Sequence, residues 1–378
     1  MALVVHLIDF HQRNSWLENQ YNYFQDAGIN QGLISLSQRG QIHEQFEARG
    51  SRYVNNFNLG IFGLIKASIT LKRWAKQDII TVYAHGHIPS IFASFFSTFV
   101  GISFIICHHQ PNPMLFSHLR KRIYFRAITH SILARYYYMR ASLIQVLSVE
   151  IQNALLERGF DSNKIVRIPL GLEFEKFFKI DNESRYRSNS DRLVLVSVSR
   201  LAWEKRINLG IRTVGHLKNQ GLKVKYLIVG AGPELDSLKL LAHELKLSAE
   251  VEFLGYREDV NSILNKADIL FHLSLTEAYG QVILEARLTG LPVFTSACGV
   301  ALDMERSADS YVDIFRSENS IQISRELKEF ILNLKSPSKS EITFDSHEFY
   351  KMHQYLLVMP EIICMFNQHF DSINHFYR

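Results

Sequence analysis

The chain has 378 residues, 47% hydrophobic and 21% charged, with a net charge of +5. That composition is the one expected of a folded soluble protein, and the length exceeds one ordinary core, so two domains are expected. Three cysteines (Cys107, Cys298, Cys364), odd in number and without CxxC spacing, exclude a disulfide framework and a zinc site and suit a reducing compartment.

The chain opens "MALVVHLIDF", strand-like residues directly after Met1 with no charged leader or cleavage pattern, so a signal peptide is not expected. "LVVHLID", "DIITVYAH", "ISFIICHH" and "LIQVLS" are read as the strands of the first half. His85 and His87 flank the end of the second of these, and each is read first as a satisfied structural histidine. "IFASFFSTFVGISFIIC" (91–107) is short for a membrane span and changes at Gly101 from a Phe/Ala/Ser pattern to a β-branched one, so a helix followed by a buried strand is expected.

Charge is unevenly placed. Residues 1–168 hold 17 Lys/Arg against 9 Asp/Glu, while the remainder holds 25 against 28. No carboxylate falls between Asp78 and Glu150. Within that window residues 119–140, "LRKRIYFRAITHSILARYYYMR", read as a basic, aromatic helix suited to an anionic membrane surface or an anionic acceptor. A solvated helix face whose aromatics serve the core answers the same pattern. No nucleic-acid-binding motif accompanies the charge, so no nucleic-acid partner is expected.

In the second half "RLVLVSVSR", "KVKYLIVG", "VEFLG", "DILFHLS" and "PVFTSA" read as strands alternating with helices. Two such sets describe two doubly wound α/β domains in tandem, with ligands expected beyond the carboxyl ends of the strands. The polar run 179–192 reads as a surface connector, and "SHEFYKMHQYLLVMPEIICMFNQHF" as terminal helices interrupted at Pro360.

Arg200 ends one strand and Lys205 follows before a helix, a spacing that suits a diphosphate clamp and equally an ordinary surface pair. In "LIVGAGPELDSL", Gly230 and Gly232 would admit a ligand to the backbone, although a plain helix start reads the same way. The third glycine of a dinucleotide fingerprint is missing. In "TEAYGQVILEARLTG" Glu277 falls in a loop and Glu285 two turns into a helix of buried residue types. A carboxylate there needs hydrogen-bond donors, which a ribose diol could supply. Pairing of Glu285 with Arg287 or Lys266, and capping of the helix by Glu277, are the alternatives.

Taken together, "SRLAWEKRINLGI", "YLIVGAGPELDSL", "VEFLGYREDV" and "ADILFHLSLTEAYGQVILEARLTGLPVFTS" resemble, in order and spacing, the donor-binding half of retaining glycosyltransferases of the GT-B fold (glycosyltransferase family four, glycosyl transferases group 1). The resemblance runs over about residues 195–300. It implies two Rossmann-like domains facing a central cleft: residues 1–168 for the acceptor, 169–345 for the nucleotide-sugar, and 346–378 as helices packing back toward the first domain. It also implies that Arg200 and Lys205 hold the diphosphate, Glu277 contacts the sugar and Glu285 holds the ribose. Backbone amides at Tyr279, Gly280 and Gln281 would bind sugar and phosphate oxygens, with Tyr256 and Arg257 flanking the base. "GISFIICHHQ" is similar to the strand that ends in the family's active-site histidine, which places His109 there.

The N-terminal loop lacks the family's glycine pair, leaving Arg13, Asn14 and Ser15, and "ACGVALDMER" carries Cys298 where a glycine is common. The implied activity is metal-independent, cofactor-free transfer of a hexose-type sugar from a UDP- or GDP-linked donor to a glycan or lipid-linked acceptor, with Arg200, Lys205, Glu277 and His109 at the reacting centre. An envelope polysaccharide or lipopolysaccharide is the expected product, made in the cytoplasm or on the inner face of the membrane. An epimerase of the same fold and a non-catalytic carbohydrate-binding relative are the alternatives.

Overall fold

The computed structural model describes residues 2–11, 15–58, 60–107, 124–171, 192–306, 311–334 and 355–376. The chain divides into two compact units, Met1–Gly171 with Leu356–Arg378, and Leu172–Tyr355.

The first unit holds a sheet of seven parallel strands: β1 (Ala2–Ile8), β2 (Asn30–Ser35), β3 (Tyr53–Asn56), β4 (Ile79–His85), β5 (Ser103–Cys107), β6 (Leu143–Val146) and β7 (Ile165–Arg167). Their order is β3-β2-β1-β4-β5-β6-β7, with the reversal beside β1 that marks a doubly wound sheet. β1 and β4 are almost wholly buried because helices cover both faces, which is why they read as continuous apolar runs. The connecting helices are α1 (Ser15–Asp26), α2 (Gln41–Ala48), α3 (Ile61–Trp74), α4 (His87–Val100), α5 (Tyr124–Arg140) and α6 (Val149–Leu156). The run 91–107 divides as expected: α4 stops at Gly101, whose φ of 76° gives the left-handed cap, and β5 follows.

The polar core of this sheet is built around histidine. His6 on β1 and His85 at the end of β4 meet at 3.0 Å, and the other nitrogen of His6 lies 3.2 Å from the Gln31 carboxamide oxygen. Burial pushes the His6 pKa down to about 4, against the Gln31 hydrogen bond, so this histidine is a neutral hydrogen-bonding spacer.

The terminal helix, Tyr355–Phe376, belongs to this unit. Phe366 packs edge-on against Phe24 and Tyr83, with ring centroids 5.3 and 5.0 Å apart. Contrary to the expected break, the helix runs through Pro360. The lost hydrogen bond and ring clash are outweighed by burial of Val358, Met359, Ile362 and Phe366 on one face.

The second unit holds six parallel strands: β8 (Leu193–Val198), β9 (Val224–Val229), β10 (Val251–Gly255), β11 (Ile269–His272), β12 (Val293–Ser296) and β13 (Val312–Phe315). They are ordered β10-β9-β8-β11-β12-β13. Helices α7 (Ile207–Asn219), α8 (Leu235–Glu244), α9 (Val260–Lys266), α10 (Gln281–Leu288), α11 (Val300–Arg306) and α12 (Ser320–Leu334) cover it. Its core joins Ile211 and Val214 of α7 to Tyr226, Phe271 and Phe294 of the sheet and Phe330 of α12.

Four strands differ from the sequence reading. β2, β3, β7 and β13 were not legible as apolar runs. Three of them are edges with a single neighbour, so their side chains are only partly covered and polar residues are tolerated. β2 begins Asn30-Gln31-Gly32, which masks the apolar residues that follow. The connector residues 179–191 lie outside the described residues.

Candidate active site

Because all six strands of the second unit are parallel, the residues that follow each strand emerge at one end of the sheet. The dense chemistry there is at the end of β11. Lys205 donates to Oε1 of Glu277. His272 Nε2 lies 3.1 Å from the same oxygen, and the Ser274 hydroxyl donates to it at 2.7 Å. Burial alone would raise the Glu277 pKa, but the hydrogen bond and charge of His272, then the Lys205 ammonium, hold it down to about 2. Glu277 is a fixed anion.

Local chain geometry explains why Lys205 arrives there. Residues 203–205 form a single 3-10 turn, and Arg206 adopts left-handed φ of 49°, which turns the chain into α7. Two contacts then pin this turn to the β11 end: Leu275 N–H donates to the Glu204 carbonyl at 2.8 Å, and Arg206 Nε donates to the Leu273 carbonyl at 2.7 Å. Lys205 lies between the two clamps, opposite Glu277.

The segment after Glu277 is set by a second close approach. Val300 N–H donates to the Tyr279 carbonyl at 2.6 Å. A Cβ on Gly299, whose φ is 56°, would lie 2.4 Å from that carbonyl and 3.0 Å from the Glu277 Cβ. Glycine is therefore required at 299 for the two loops to touch, while the preceding position accepts Cys298, which is fully buried. Tyr279 is buried, and Gly280 at φ 83° caps α10, whose first residue Gln281 is exposed.

Glu285 lies one turn into α10, half-buried, with a hydrogen bond from Gln281. Burial raises its pKa to about 7, and the Gln281 bond only partly opposes this. The Arg287 guanidinium lies over the Tyr311 ring, 5.0 Å from its centroid, and donates to the Leu291 carbonyl. The two glutamates thus differ sharply: one is locked ionised, the other is poised to titrate near neutrality.

The remaining sequence-derived residues stand apart from this cluster in character. Arg200 is 69% exposed and bonds Glu204 at 2.8 Å. Gly230, at φ 133°, would place a Cβ 1.9 Å from the Ser199 carbonyl, so packing between the ends of β8 and β9 already demands glycine there. Tyr256 is exposed after β10, and Arg257 forms a two-pronged pair with Asp259, both bonds 2.7 Å. His85 meets His6, and His87 meets the Tyr137 hydroxyl at 3.1 Å. His109, Arg13 and Asn14 lie outside the described residues, as does the side chain of Ser15.

Sequence reasoning missed His272, Ser274 and Arg206. His272 and Ser274 were in view within "DILFHLS", five and three positions before Glu277. Two polar residues at the carboxyl end of a buried strand were the available signal.

Residues 178–341 match the model of the family described as Glycosyl transferases group 1. The phosphatidylinositol N-acetylglucosaminyltransferase gpi3 subunit of Schizosaccharomyces pombe is 31% identical over 150 residues, 39% of this chain and 32% of that one. The amylovoran biosynthesis glycosyltransferase AmsK of Erwinia amylovora is 31% identical over 153 residues, 38% of this chain and 37% of that one. The match thus spans about a third of either curated relative. Over nearly the full length, the crystal structure of Anabaena Alr3699/HepE in complex with UDP-glucose superposes with a TM-score of 0.76 at 17% identity, covering 97% of this chain and 100% of that one.

Proposed function

We propose that this chain, whose residues 178–341 match the glycosyl transferases group 1 model and whose fold is similar to that of the Anabaena protein, is a retaining, metal-independent glycosyltransferase. It moves a hexose-type sugar from a UDP- or GDP-linked donor to a glycan or lipid-linked acceptor. The product is an envelope polysaccharide or lipopolysaccharide, assembled at the inner face of the cytoplasmic membrane. Support for a UDP donor comes from the Anabaena protein, whose structure holds UDP-glucose. The names of the two curated relatives, one built on phosphatidylinositol and one on amylovoran, support a lipid or polysaccharide acceptor.

The observation that carries the reading is the convergence of Lys205, His272 and Ser274 on one oxygen of Glu277. A carboxylate locked ionised can take hydroxyl protons of the transferred sugar as hydrogen bonds on its other oxygen. An ammonium has three N–H donors, so one directed at Glu277 leaves two for diphosphate oxygens. Positive charge held in a partly buried place stabilises the diphosphate as negative charge builds on it. Arg200, exposed beside Glu204, reaches the same phosphates by exchanging one carboxylate partner for another anion. Glu285, with a pKa near neutrality, is satisfied by a ribose diol. In the proposed retaining step, the acceptor hydroxyl attacks the anomeric carbon on the face the diphosphate leaves. Its proton passes to a departing phosphate oxygen.

The test is a panel of UDP-, GDP- and ADP-linked sugars assayed for nucleotide release with and without acceptor glycolipid. Release of one nucleotide, dependent on acceptor and abolished in Glu277→Gln, supports the proposal. Sugar isomerisation without an acceptor would assign an epimerase, and absence of nucleotide binding in calorimetry would assign a non-catalytic relative.

A further inference from the structure

We infer that α3 is a membrane-docking helix for an anionic phospholipid surface. The inference deepens the lipid-facing part of the proposed function and rests on it for its biological sense, but its evidence lies wholly in the first unit. Ala67, Leu71 and Trp74 bury one face of α3. The opposite face carries Ile61 and Phe62, 76% and 83% exposed, with Ile65 and Ile69 exposed one and two turns on. Four large apolar side chains stand in solvent along one 14-residue helix, and packing among the described residues does not explain them.

Charge identifies the occupant. Lys66, Lys72, Arg73 and Lys76 are exposed beside or beyond that stripe. Between Glu47 and Glu150 the sequence has one carboxylate, Asp78, which accepts a hydrogen bond from Tyr53 at 2.7 Å. Exposed apolar and basic side chains also occur on the neighbouring helices: α4, which touches both α3 and α5, exposes Phe99, and α5 exposes Ile132 and Met139 with Arg135 and Arg140. Apolar side chains flanked by cations and without acids match the boundary between acyl chains and anionic headgroups. A second copy fits poorly, because a two-fold contact would set the same cations against one another. At 14 residues α3 is too short to span a bilayer, and among the described residues no helix is long and apolar enough to cross one. It would lie in the interface plane, its apolar stripe toward the acyl chains.

The test is co-sedimentation of the full chain with vesicles of phosphatidylcholine alone and of phosphatidylcholine with 30 mol% phosphatidylglycerol. Binding should favour the anionic vesicles and fall as salt rises. The double variant Phe62→Ser/Ile65→Ser should lower partitioning roughly tenfold or more, from the apolar area withdrawn. Lys66→Gln/Lys72→Gln/Arg73→Gln should lower it by about fivefold per charge removed. All five side chains are exposed, so thermal melting and nucleotide binding should be unchanged. A defect in nucleotide binding by the wild-type chain would strike the proposed activity and leave this inference standing. Equal partitioning of variants and wild type would overturn it. So would absence of vesicle binding by the wild type, or a dimer lost in the Phe62/Ile65 variant with vesicle binding intact.

Discussion

Lys205 and Glu277 lie 72 positions apart in sequence and form an ion pair at the end of β11, both side chains largely buried. The two segments are fastened together by the backbone bond from Leu275 N–H to the Glu204 carbonyl and by the Arg206 guanidinium, whose Nε donates to the Leu273 carbonyl. His272 and Ser274 then take up the carboxylate oxygen that Lys205 addresses.

Removing Lys205 takes the ammonium partner from Glu277 and leaves the His272 and Ser274 contacts. Lys205→Ala should reduce transfer by at least about a hundredfold, as loss of a preorganised charge-stabilising group does. It should also cost on the order of 2 kcal/mol of stability, less than a fully orphaned buried charge, because His272 and Ser274 remain. Urea denaturation and single-turnover transfer measure the two effects separately.

Stability should depend on pH through Glu277 in the acid range. Its folded pKa of about 2 lies below the ordinary 4.5, so its contribution is present above pH 4.5 and lost as pH falls toward 2. Glu277→Gln should flatten that part of the stability curve. A titration of unfolding free energy between pH 2 and 6 checks this against wild type.

Glu285 works in the opposite direction. Its folded pKa of about 7 exceeds 4.5, so the folded state holds a proton that the unfolded chain releases. The stability this brings is complete below pH 4.5 and lost as pH rises through 7. Glu285→Gln should therefore be near neutral at pH 4 and more stable than wild type at pH 8, by up to about 3 kcal/mol. If a ribose diol binds the ionised form, nucleotide binding at pH 6 releases a proton. Calorimetry in buffers of different ionisation heat should count it, and Glu285→Gln should abolish it.

Arg200 is exposed while its partner Glu204 is largely buried, so Arg200→Ala should change stability by no more than about 1 kcal/mol. A drop of tenfold or more in kcat/KM with unchanged stability would mark the guanidinium as a phosphate contact. Unchanged kcat/KM would reduce it to a surface ion pair.

Gly230→Ala is expected to be severe: the added Cβ meets the Ser199 carbonyl at 1.9 Å and the φ of 133° is strained for any side chain. A loss of roughly 3 kcal/mol or more is expected in thermal or denaturant unfolding. Phe366→Ala should cost about 3 to 5 kcal/mol by opening a cavity between Phe24 and Tyr83.

The central strands of both sheets were legible from the chain alone, because a strand covered on two faces is mostly apolar: LVVHLI, IITVYAH and VKYLIV interrupt their apolar runs only with residues such as His6, Thr81, His85 and Lys225. The order of motifs around Glu277 and Glu285 was also legible, since a turn, a helix start and two carboxylates are local features. Edge strands β3, β7 and β13 were not, because a strand with one neighbour escapes that composition rule. Nor was the helix through Pro360, whose survival depends on an apolar face finding Phe24 and Tyr83 far away in sequence. Above all, the sequence placed Arg200 and Lys205 as an equivalent pair, and tertiary structure separated them: Arg200 at the surface with Glu204, Lys205 inward against Glu277. Side-chain direction after a turn is set by long-range hydrogen bonds and by the left-handed Arg206, and no spacing of residues along the chain encodes which cation those bonds will turn inward.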